Sequence, residues 1–363
     1  MIPACFRHLL PAFTGSILHC TLFVTSRCNA DCGFCFYRKD SLRTRTLQHD
    51  ELTLAELETI SRQFGPLLWL ALSGGEIFLR PDLAEIVRIF YANNRPSFIL
   101  LPTNGLFTER IVSLTGTIAA ACPTSIVTVK LSLDGPPDVH DRLRRVTGAF
   151  AGAQRTFHAL TDLQTKHPNL EVGFNSVLCR ETEKTMAETI DLVNNTAEGV
   201  PHTITLVRGE PGSGVWGEVA AERYADACRL LELRKKKAGK GCYRFAGARW
   251  KAAQDVIQRR IIHRIMSGQG FQIPCPAGRR SVVITENGDL YPCENFSFLL
   301  GNLRQHNYRI KSILDTDRAR EIRAGITRKK CFCTHECYLM LAILFNPRLY
   351  PELVHEYVRL ART

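Results

Sequence analysis

The chain has 363 residues, 45% of them apolar and 23% charged, enough for one large domain and a smaller one and unlike a disordered or fibrous protein. The run of about 18 apolar residues that a spanning helix needs is absent, since the most apolar stretch, Tyr338 to Phe345, is too short. Met1 to Cys20 lacks a signal-peptide layout, so a cytoplasmic location and no membrane partner are expected.

The net charge of +12 is unevenly placed: from Arg234 to Arg264 there are eleven Lys and Arg against one acid, Asp255. Such a segment is either a solvated helix face or a surface for an anionic substrate, an acidic peptide or RNA. Only Tyr243, Phe245 and Trp250 are interleaved there, too few for a base-stacking platform, so nucleic acid is the lesser alternative.

Apolar runs predict β-strands over 17–24, 68–73, 97–101, 126–133, 171–178 and 203–207. Helical periodicity falls between them, over 54–64 (with Thr53 as its cap), 81–91 (with Pro81 at its start), 149–163 and 181–194. Strands alternating with helices imply a parallel sheet in an α/β fold. Six such units are too few for a full eight-stranded barrel, so the expectation is a partial (β/α)6 TIM-like barrel with its chemistry at the C-terminal strand ends. The Gly- and Pro-rich stretch 209–217 reads as a boundary. Helices follow over 219–236 and 248–265, then a hairpin with Asn287-Gly288 at its tip, then helix over 339–360 interrupted near Pro347 and Pro351. The expected units are an extension (1–16), the barrel (17–215), a basic helical linker (216–270), a small cysteine-rich domain (271–340) and a helical tail (341–363).

Fourteen cysteines are many for this length. Cys5, Cys122, Cys179 and Cys228 are scattered and read as small buried residues. Cys28, Cys32 and Cys35 share one short loop after the first strand, a spacing that suits metal better than disulfides. Three thiolates on one loop wrap one face of an iron–sulfur cubane and leave the fourth iron open; a zinc knuckle completed by a remote ligand is the alternative. Cys275 and Cys293 bracket the hairpin, and Cys331, Cys333 and Cys337 follow, a layout that a four-thiolate zinc site would also satisfy. At later strand ends stand Gly74-Gly75-Glu76, Thr103-Asn104-Gly105, Ser132-Leu133-Asp134-Gly135 and Asn175. A glycine pair allows close backbone approach, a following carboxylate accepts from an ammonium group, and hydroxyl and carboxylate groups suit a ribose.

The Cx3Cx2C loop, with Phe34 before its third cysteine, resembles the signature of the radical S-adenosylmethionine (SAM) superfamily. That resemblance implies a [4Fe–4S] cluster on Cys28, Cys32 and Cys35 whose open iron chelates SAM. It also implies reductive cleavage of SAM to a 5′-deoxyadenosyl radical that abstracts hydrogen from a substrate. By the same resemblance Phe34 and Phe36 flank the adenine, and Gly74, Gly75 and Glu76 match the GGE motif that takes the methionine amino group. Ile77 stands where the family usually has proline, and Arg80-Pro81-Asp82-Leu83 is also familiar. Asn104 lines the SAM site, and Ser132, Asp134 and Asn175 contact SAM or substrate. The run from Ser132 through His140-Asp141-Arg142 to Gly148-Ala149-Phe150 is similar to the family's S-[IL]-D-G-P…H-D-x-x-R…G-x-F pattern.

The C-terminal cysteines resemble the SPASM/twitch extension of these enzymes, with twelve residues from Cys275 to Gly288 and four from Gly288 to Cys293. The later CxCx3C is shorter than the complete SPASM pattern, which implies one auxiliary [4Fe–4S] cluster. Cys275, Cys293, Cys333 and Cys337 are the preferred ligands, with Cys331 able to replace Cys333 and His335 a distant option. The implied partners are a peptide or small-molecule substrate and an electron donor such as flavodoxin or ferredoxin. An RNA-modifying radical enzyme and a non-catalytic zinc or iron–sulfur module are the alternatives. No general acid or base is named by the sequence.

Overall fold

The computed structural model describes residues 16–37, 50–208, 219–237 and 243–361. Six parallel strands carry the first half: β1 (His19–Thr25), β2 (Trp69–Gly74), β3 (Phe98–Thr103), β4 (Ile126–Ser132), β5 (Leu170–Leu178) and β6 (His202–Leu206). They lie in the order β6-β5-β4-β3-β2-β1, and helices α1 (Leu54–Ser61), α2 (Leu83–Asn94), α3 (Thr108–Ala121), α4 (Pro137–Arg144), α5 (Ala149–Gln164) and α6 (Met186–Thr196) connect them. This is the expected partial barrel.

Pro81 precedes the cap residue Asp82 and does not open α2 itself. Helices α3 and α4 escape the periodicity reading. The first is rich in Thr, Ile and Val and contains Gly116, and the second is a short charged helix. Neither has a strong intrinsic preference, and tertiary packing decides both.

Alternation along the strands sorts two faces. Leu22, Val24, Leu70, Leu72, Ile99, Leu101, Val127 and Val129 point outward into the main core beneath the helices. Thr21, Ala71, Ser73, Leu100, Pro102, Thr128, Lys130 and Ser132 point inward and line a cavity of about 440 Å³. A full TIM barrel fills this space with bulky branched side chains. Here Thr21, Ala71, Ser73, Thr128 and Ser132 are too small to do so.

The C-terminal half joins the same sheet. Strand β7 (Ser281–Ile284) pairs in parallel with the free edge of β1, from His19↔Ser281 to Leu22↔Ile284. Strands β8 (Asp289–Tyr291) and β9 (Gly301–Asn302) add antiparallel to it, giving one sheet of nine strands. The boundary expected near 271 is therefore crossed by a continuous sheet.

Helices α7 (Ala221–Lys237) and α8 (Ala248–Arg264) contribute to a second core. Helix α8 buries Ala253, Ile257, Ile261 and Ile262 in it. Several of its charges are compensated internally: Lys251 pairs with Asp255, Arg259 with Glu232 at 2.8 Å and Arg260 with Glu356 at 2.7 Å. Arg234 of α7 pairs with Asp191 at 2.6 Å. Among its described residues the basic segment is thus part packing surface and part ion-pair lattice, and not simply a solvated face; Lys240 lies outside the described residues.

Short helix α9 (Ile310–Leu314) and α10 (Asp317–Arg328) lead to α11 (Glu336–Leu344) and α12 (Tyr350–Arg359). Helix α11 is apolar on nearly every side, as a helix buried all round must be. Met340 and Leu341 pack on Leu18 and Leu68, and Leu339, Ala342 and Ile343 enter the second core.

Thr53 caps α1, and Glu56 completes the capping box. Glu56 also accepts from Arg304 Nε at 2.6 Å and from the Tyr308 hydroxyl at 2.9 Å, tying α1 to the chain after β9. Burial raises this carboxyl, but the bonds from Arg304, Thr53 and Tyr308 outweigh it and hold the pKa at about 2. A depressed carboxyl stabilises the fold above its ordinary pKa and loses that contribution as pH falls toward 2. We expect Glu56→Gln to cost about 1 kcal/mol at neutral pH. The gap between variant and wild type should close as the pH of thermal unfolding is lowered from 5 toward 2.

Candidate active site

The cysteine loop leaves the C-terminal end of β1, and Cys28, Cys32 and Cys35 all line the cavity. Later strand ends hold its backbone. Gly75 N–H donates to Thr25 O at 2.8 Å and Glu76 N–H to Arg27 O at 2.9 Å. A Cβ on Gly74, whose φ is +133°, would stand 2.2 Å from Thr25 O, and one on Gly75 would stand 2.0 Å from Arg27 O. The glycine pair therefore also serves close approach to the stem of the loop, beyond the approach to a ligand expected from sequence. Asp31 and Gly33 N–H donate to Arg144 O (3.2 Å) and Leu143 O (3.3 Å) at the end of α4. Asn104 Nδ2 donates to Asn29 Oδ1 at 2.7 Å. Arg80 braces the base of the site, donating to Val24 O at 3.1 Å and pairing with Glu51 at 3.0 Å.

Glu76 is 2% exposed yet reaches the cavity wall. Its carboxylate accepts from the Thr103 hydroxyl (3.0 Å), Asn104 N–H (2.8 Å) and Phe78 N–H (3.2 Å). Burial pushes its pKa up to about 7 against the pull of those bonds. Ser132 and Asn175 are register partners on β4 and β5, and both line the cavity. Phe34 packs on Val139 and Leu143, and Phe36 stacks on Phe296 with centroids 6.2 Å apart; both touch the cavity.

Asp134 departs from expectation. It is fully buried, accepts from Val177 N–H at 2.8 Å and from Arg144 Nε at 2.7 Å, and does not line the cavity. Its partner is the residue that sequence reading passed over. Arg144 donates to Cys32 Sγ at 3.5 Å and lies 5.3 Å from the Phe34 ring centroid. Burial raises the Cys32 thiol, and the Arg144 charge opposes that rise. The signal was available, because Arg144 is the arginine of the His140-Asp141-x-x-Arg run. Arg208, just past β6, had no such signal. It pairs with Glu294, approaches Glu336 at 3.8 Å, and links the barrel to the C-terminal cysteines.

Those cysteines divide in two. Cys275, Cys293, Cys331 and Cys333 gather around Ala277, Ile326 and Tyr338. Burial, reinforced by the neighbouring thiolates, pushes Cys293 and Cys333 up to about 12 and Cys275 to about 11. Cys337 instead lines the barrel cavity, beside Arg208, Glu294 and Glu336. Of the expected ligands, Cys337 thus stands apart from this group, and its alternative Cys331 stands within it. Cys331 and Cys333 lie two apart in non-helical chain, a spacing that in extended chain sends both side chains to one side, whereas Cys337 sits in the first turn of α11. His335 lies 3.9 Å from Glu294.

A half-barrel with a three-cysteine loop at its mouth and a cysteine-bearing hairpin on its edge defines a class of iron–sulfur protein. The chain belongs to the radical SAM superfamily, whose pattern matches residues 22–193, and it carries a SPASM iron–sulfur cluster-binding domain over residues 275–338. It is a radical SAM enzyme. An AdoMet-dependent heme synthase of Methanosarcina barkeri (strain Fusaro / DSM 804) is 26% identical over 304 residues, 79% of each chain. Native anSMEcpe with bound AdoMet superposes with a TM-score of 0.62 at 17% identity, covering 95% of this chain and 100% of its own. Streptococcus suis SuiB bound to its precursor peptide SuiA gives 0.60 at 14% identity, covering 88% and 70%. At these identities the structural likeness speaks for the fold. Among the described residues no helix is long and apolar enough to cross a membrane.

The clash at Gly75 leads to an expected outcome. Gly75→Ala should displace the loop stem and cut iron uptake on anaerobic reconstitution by about half if each half of the chain holds one cubane. Gly116→Ala, whose Cβ would make only ordinary contacts with Leu163 at 3.5 Å and His167 at 3.9 Å, should leave uptake unchanged.

Proposed function

We propose that this enzyme abstracts hydrogen from a small molecule, or from one residue of a peptide, held inside the half-barrel. The observation that carries this reading is convergence on one cavity: Cys28, Cys32, Cys35, Glu76, Asn104, Ser132 and Asn175 from the barrel, and Arg208 and Cys337 beyond it. Its volume of about 440 Å³ lies within the range of small-molecule sites. The heme synthase and the peptide-bound neighbour make both substrate classes reasonable.

The donor sets fit iron–sulfur clusters. Both groups are thiols, the donors such clusters take, and the C-terminal thiols are raised by burial and mutual repulsion that a cationic metal centre would relieve. Among the described residues no three His, Cys, Asp or Glu side chains are drawn together as a single-ion site. A cubane does not require that, since each thiolate binds a different iron. Cys28, Cys32 and Cys35 would hold the SAM-binding [4Fe–4S] cluster, and Cys275, Cys293, Cys331 and Cys333 one auxiliary cluster. When bound, the first cluster supplies the electron that cleaves SAM to the 5′-deoxyadenosyl radical.

The chain's own residues would do the rest. Glu76 accepts from the SAM ammonium while Thr103 and the Asn104 backbone fix its carboxylate. Phe34 and Phe36 flank the adenine, and Ser132 and Asn175 offer polar groups to the ribose or the substrate. Arg144 orients Cys32 and is itself aligned by Asp134. Trp69 stacks on Phe98 with centroids 4.6 Å apart, and Phe245 meets Phe98 edge to face at 5.2 Å, keeping water from the N-terminal end of the cavity. A low-potential carrier such as flavodoxin or ferredoxin would supply electrons.

Anaerobic reconstitution should give about eight iron per chain, and SAM with dithionite should yield 5′-deoxyadenosine. The triple variant Cys28→Ala/Cys32→Ala/Cys35→Ala should keep about four iron and form none of that product. A protein isolated with zinc alone, or a fully loaded protein that leaves SAM intact, would falsify the reading.

A further inference from the structure

We propose that the exposed basic surface around Phe332 is the docking face for a small acidic one-electron carrier protein, which delivers its electron at the C-terminal cysteines. The proposal rests on the preceding reading that these cysteines hold an auxiliary cluster. Cys275, Cys331 and Cys333 open onto a narrow pocket shared with Ile265, Pro276 and Phe332. Phe332 stands between the two later thiols and is 50% exposed. An apolar ring inside a charged rim is the anatomy of a small protein interface.

The chain around this pocket is basic without compensation. Over 263–285 and 322–335, the two segments that line most of it, there are seven Lys and Arg and no Asp or Glu. Arg264 precedes Ile265, and Arg279 N–H closes a turn onto Pro276 O at 3.1 Å. Lys330 precedes Cys331, with its Nζ 5.9 Å from the Phe271 ring centroid. Arg264, Arg279, Arg328, Lys329 and Lys330 are all exposed, and among the described residues none of the five forms an ion pair. Of the acids bordering the two segments, Glu321 is exposed on α10, Glu286 accepts from the Tyr37 hydroxyl, and Glu336 faces Arg208. Earlier on α8 the bases meet Asp255, Glu232 and Glu356. A field of one sign that the chain leaves uncompensated attracts a partner of the other sign and speeds its approach.

The backbone at Lys330 is an independent observation. Helix α10 ends with Lys330 N–H donating to Thr327 O at 3.2 Å and Cys331 N–H to Ile326 O at 3.0 Å, and Lys330 takes φ +48°. Glycine is the usual residue at that place in the motif, and a side chain there costs about 1 kcal/mol. Strain held at an exposed residue points to a use for its side chain. Here that side chain adds a charge directly beside Cys331.

An electron carrier fits this face better than other anions. Each reductive cleavage of SAM consumes one electron from outside the chain. Electron-transfer contacts are small, below about 1,200 Å², which suits one ring and a few bases. A single exposed ring is no base-stacking platform for RNA. Helix α10 exposes no large apolar side chain that could enter a lipid surface. At the dock the reduced carrier gives up one electron to the auxiliary cluster, and no bond forms or breaks.

The test uses the reconstituted full chain with an acidic flavodoxin as the probe. Its Kd, read by anaerobic calorimetry, should weaken about tenfold between roughly 50 and 200 mM NaCl. At the lower salt the variant Arg328→Glu/Lys329→Glu/Lys330→Glu should weaken it about tenfold, with iron content reporting that the variant folds. The control Arg88→Glu/Arg155→Glu/Lys166→Glu makes the same change in net charge at exposed barrel positions and should stay within about threefold of wild type. Lys330→Gly should weaken binding about threefold without lowering the thermal midpoint, because glycine relieves the backbone. Carrier-driven formation of 5′-deoxyadenosine should fall in the triple reversal relative to dithionite-driven formation, since dithionite needs no dock. An unchanged Kd in the triple reversal or in Lys330→Gly, or an equal loss in the control, overturns the proposal. So does a triple reversal that weakens binding of transfer RNA or of phosphatidylserine vesicles and spares flavodoxin. Loss of all iron from Cys28→Ala/Cys32→Ala/Cys35→Ala overturns the auxiliary-cluster reading beneath it, while the Kd series still reports whether the face binds the carrier.

Discussion

Beyond the aromatic pair Trp69 and Phe98, small inward side chains leave the space inside the half-barrel unfilled, and the rest of the molecule is arranged around that shortfall. Ala71, Ser73, Thr128 and Ser132 leave room where a closed barrel would stack branched residues. Their outward neighbours, Leu70, Leu72, Val127 and Val129, are fully buried or nearly so and hold the sheet against its helices. The strands are thus held mainly from the outer side, with Phe23, Trp69 and Phe98 packed locally on the inner one. The other side is released for a ligand, and the open edge is left to other elements. Helix α11 is apolar all round because it must satisfy the barrel, the second core and the C-terminal thiols at once.

Polar groups at the site are held by pairings that burial makes costly to break. Asp134 and Arg144 share a site with almost no solvent, and removing either leaves an uncompensated charge, a loss of about 3–5 kcal/mol in such pairs. The pair adds little net stability against an apolar substitute, yet it fixes where Arg144 meets Cys32. Arg208 plays the corresponding part between β6 and the C-terminal half, with Glu294 as its partner. Each arginine joins one cysteine group to a distant segment, so loop position is set by tertiary pairing and not by local turn preference.

The β7 pairing also changes how the two halves relate. Adding Ser281–Ile284 to the free edge of β1 places the hairpin cysteines on the strand that launches Cys28, Cys32 and Cys35. It also covers an edge that would otherwise present unpaired backbone groups. The two thiol groups are therefore joined through one sheet and not through a linker.

Sequence alone determined the six barrel strands, their parallel arrangement and which cysteines were available to each thiol group. Those features rest on local signals: apolar runs, alternation, Asn-Gly at a hairpin tip and cysteines close in the chain. It also determined Glu76, Ser132 and Asn175 as strand-end residues, and the structure brings all three to one cavity. Tertiary structure decided the rest. Whether Asp134 faces a ligand or Arg144 depends on a neighbour ten positions on, reached only when α4 folds back. Whether Cys331 or Cys337 joins the second group depends on where α11 begins. One residue earlier or later in that helix turns a side chain by about 100°, and no spacing rule carries that information. The basic run from 234 to 264 shows the same limit, for its charge is visible in the chain but its partners Asp191, Glu232 and Glu356 come from three other segments.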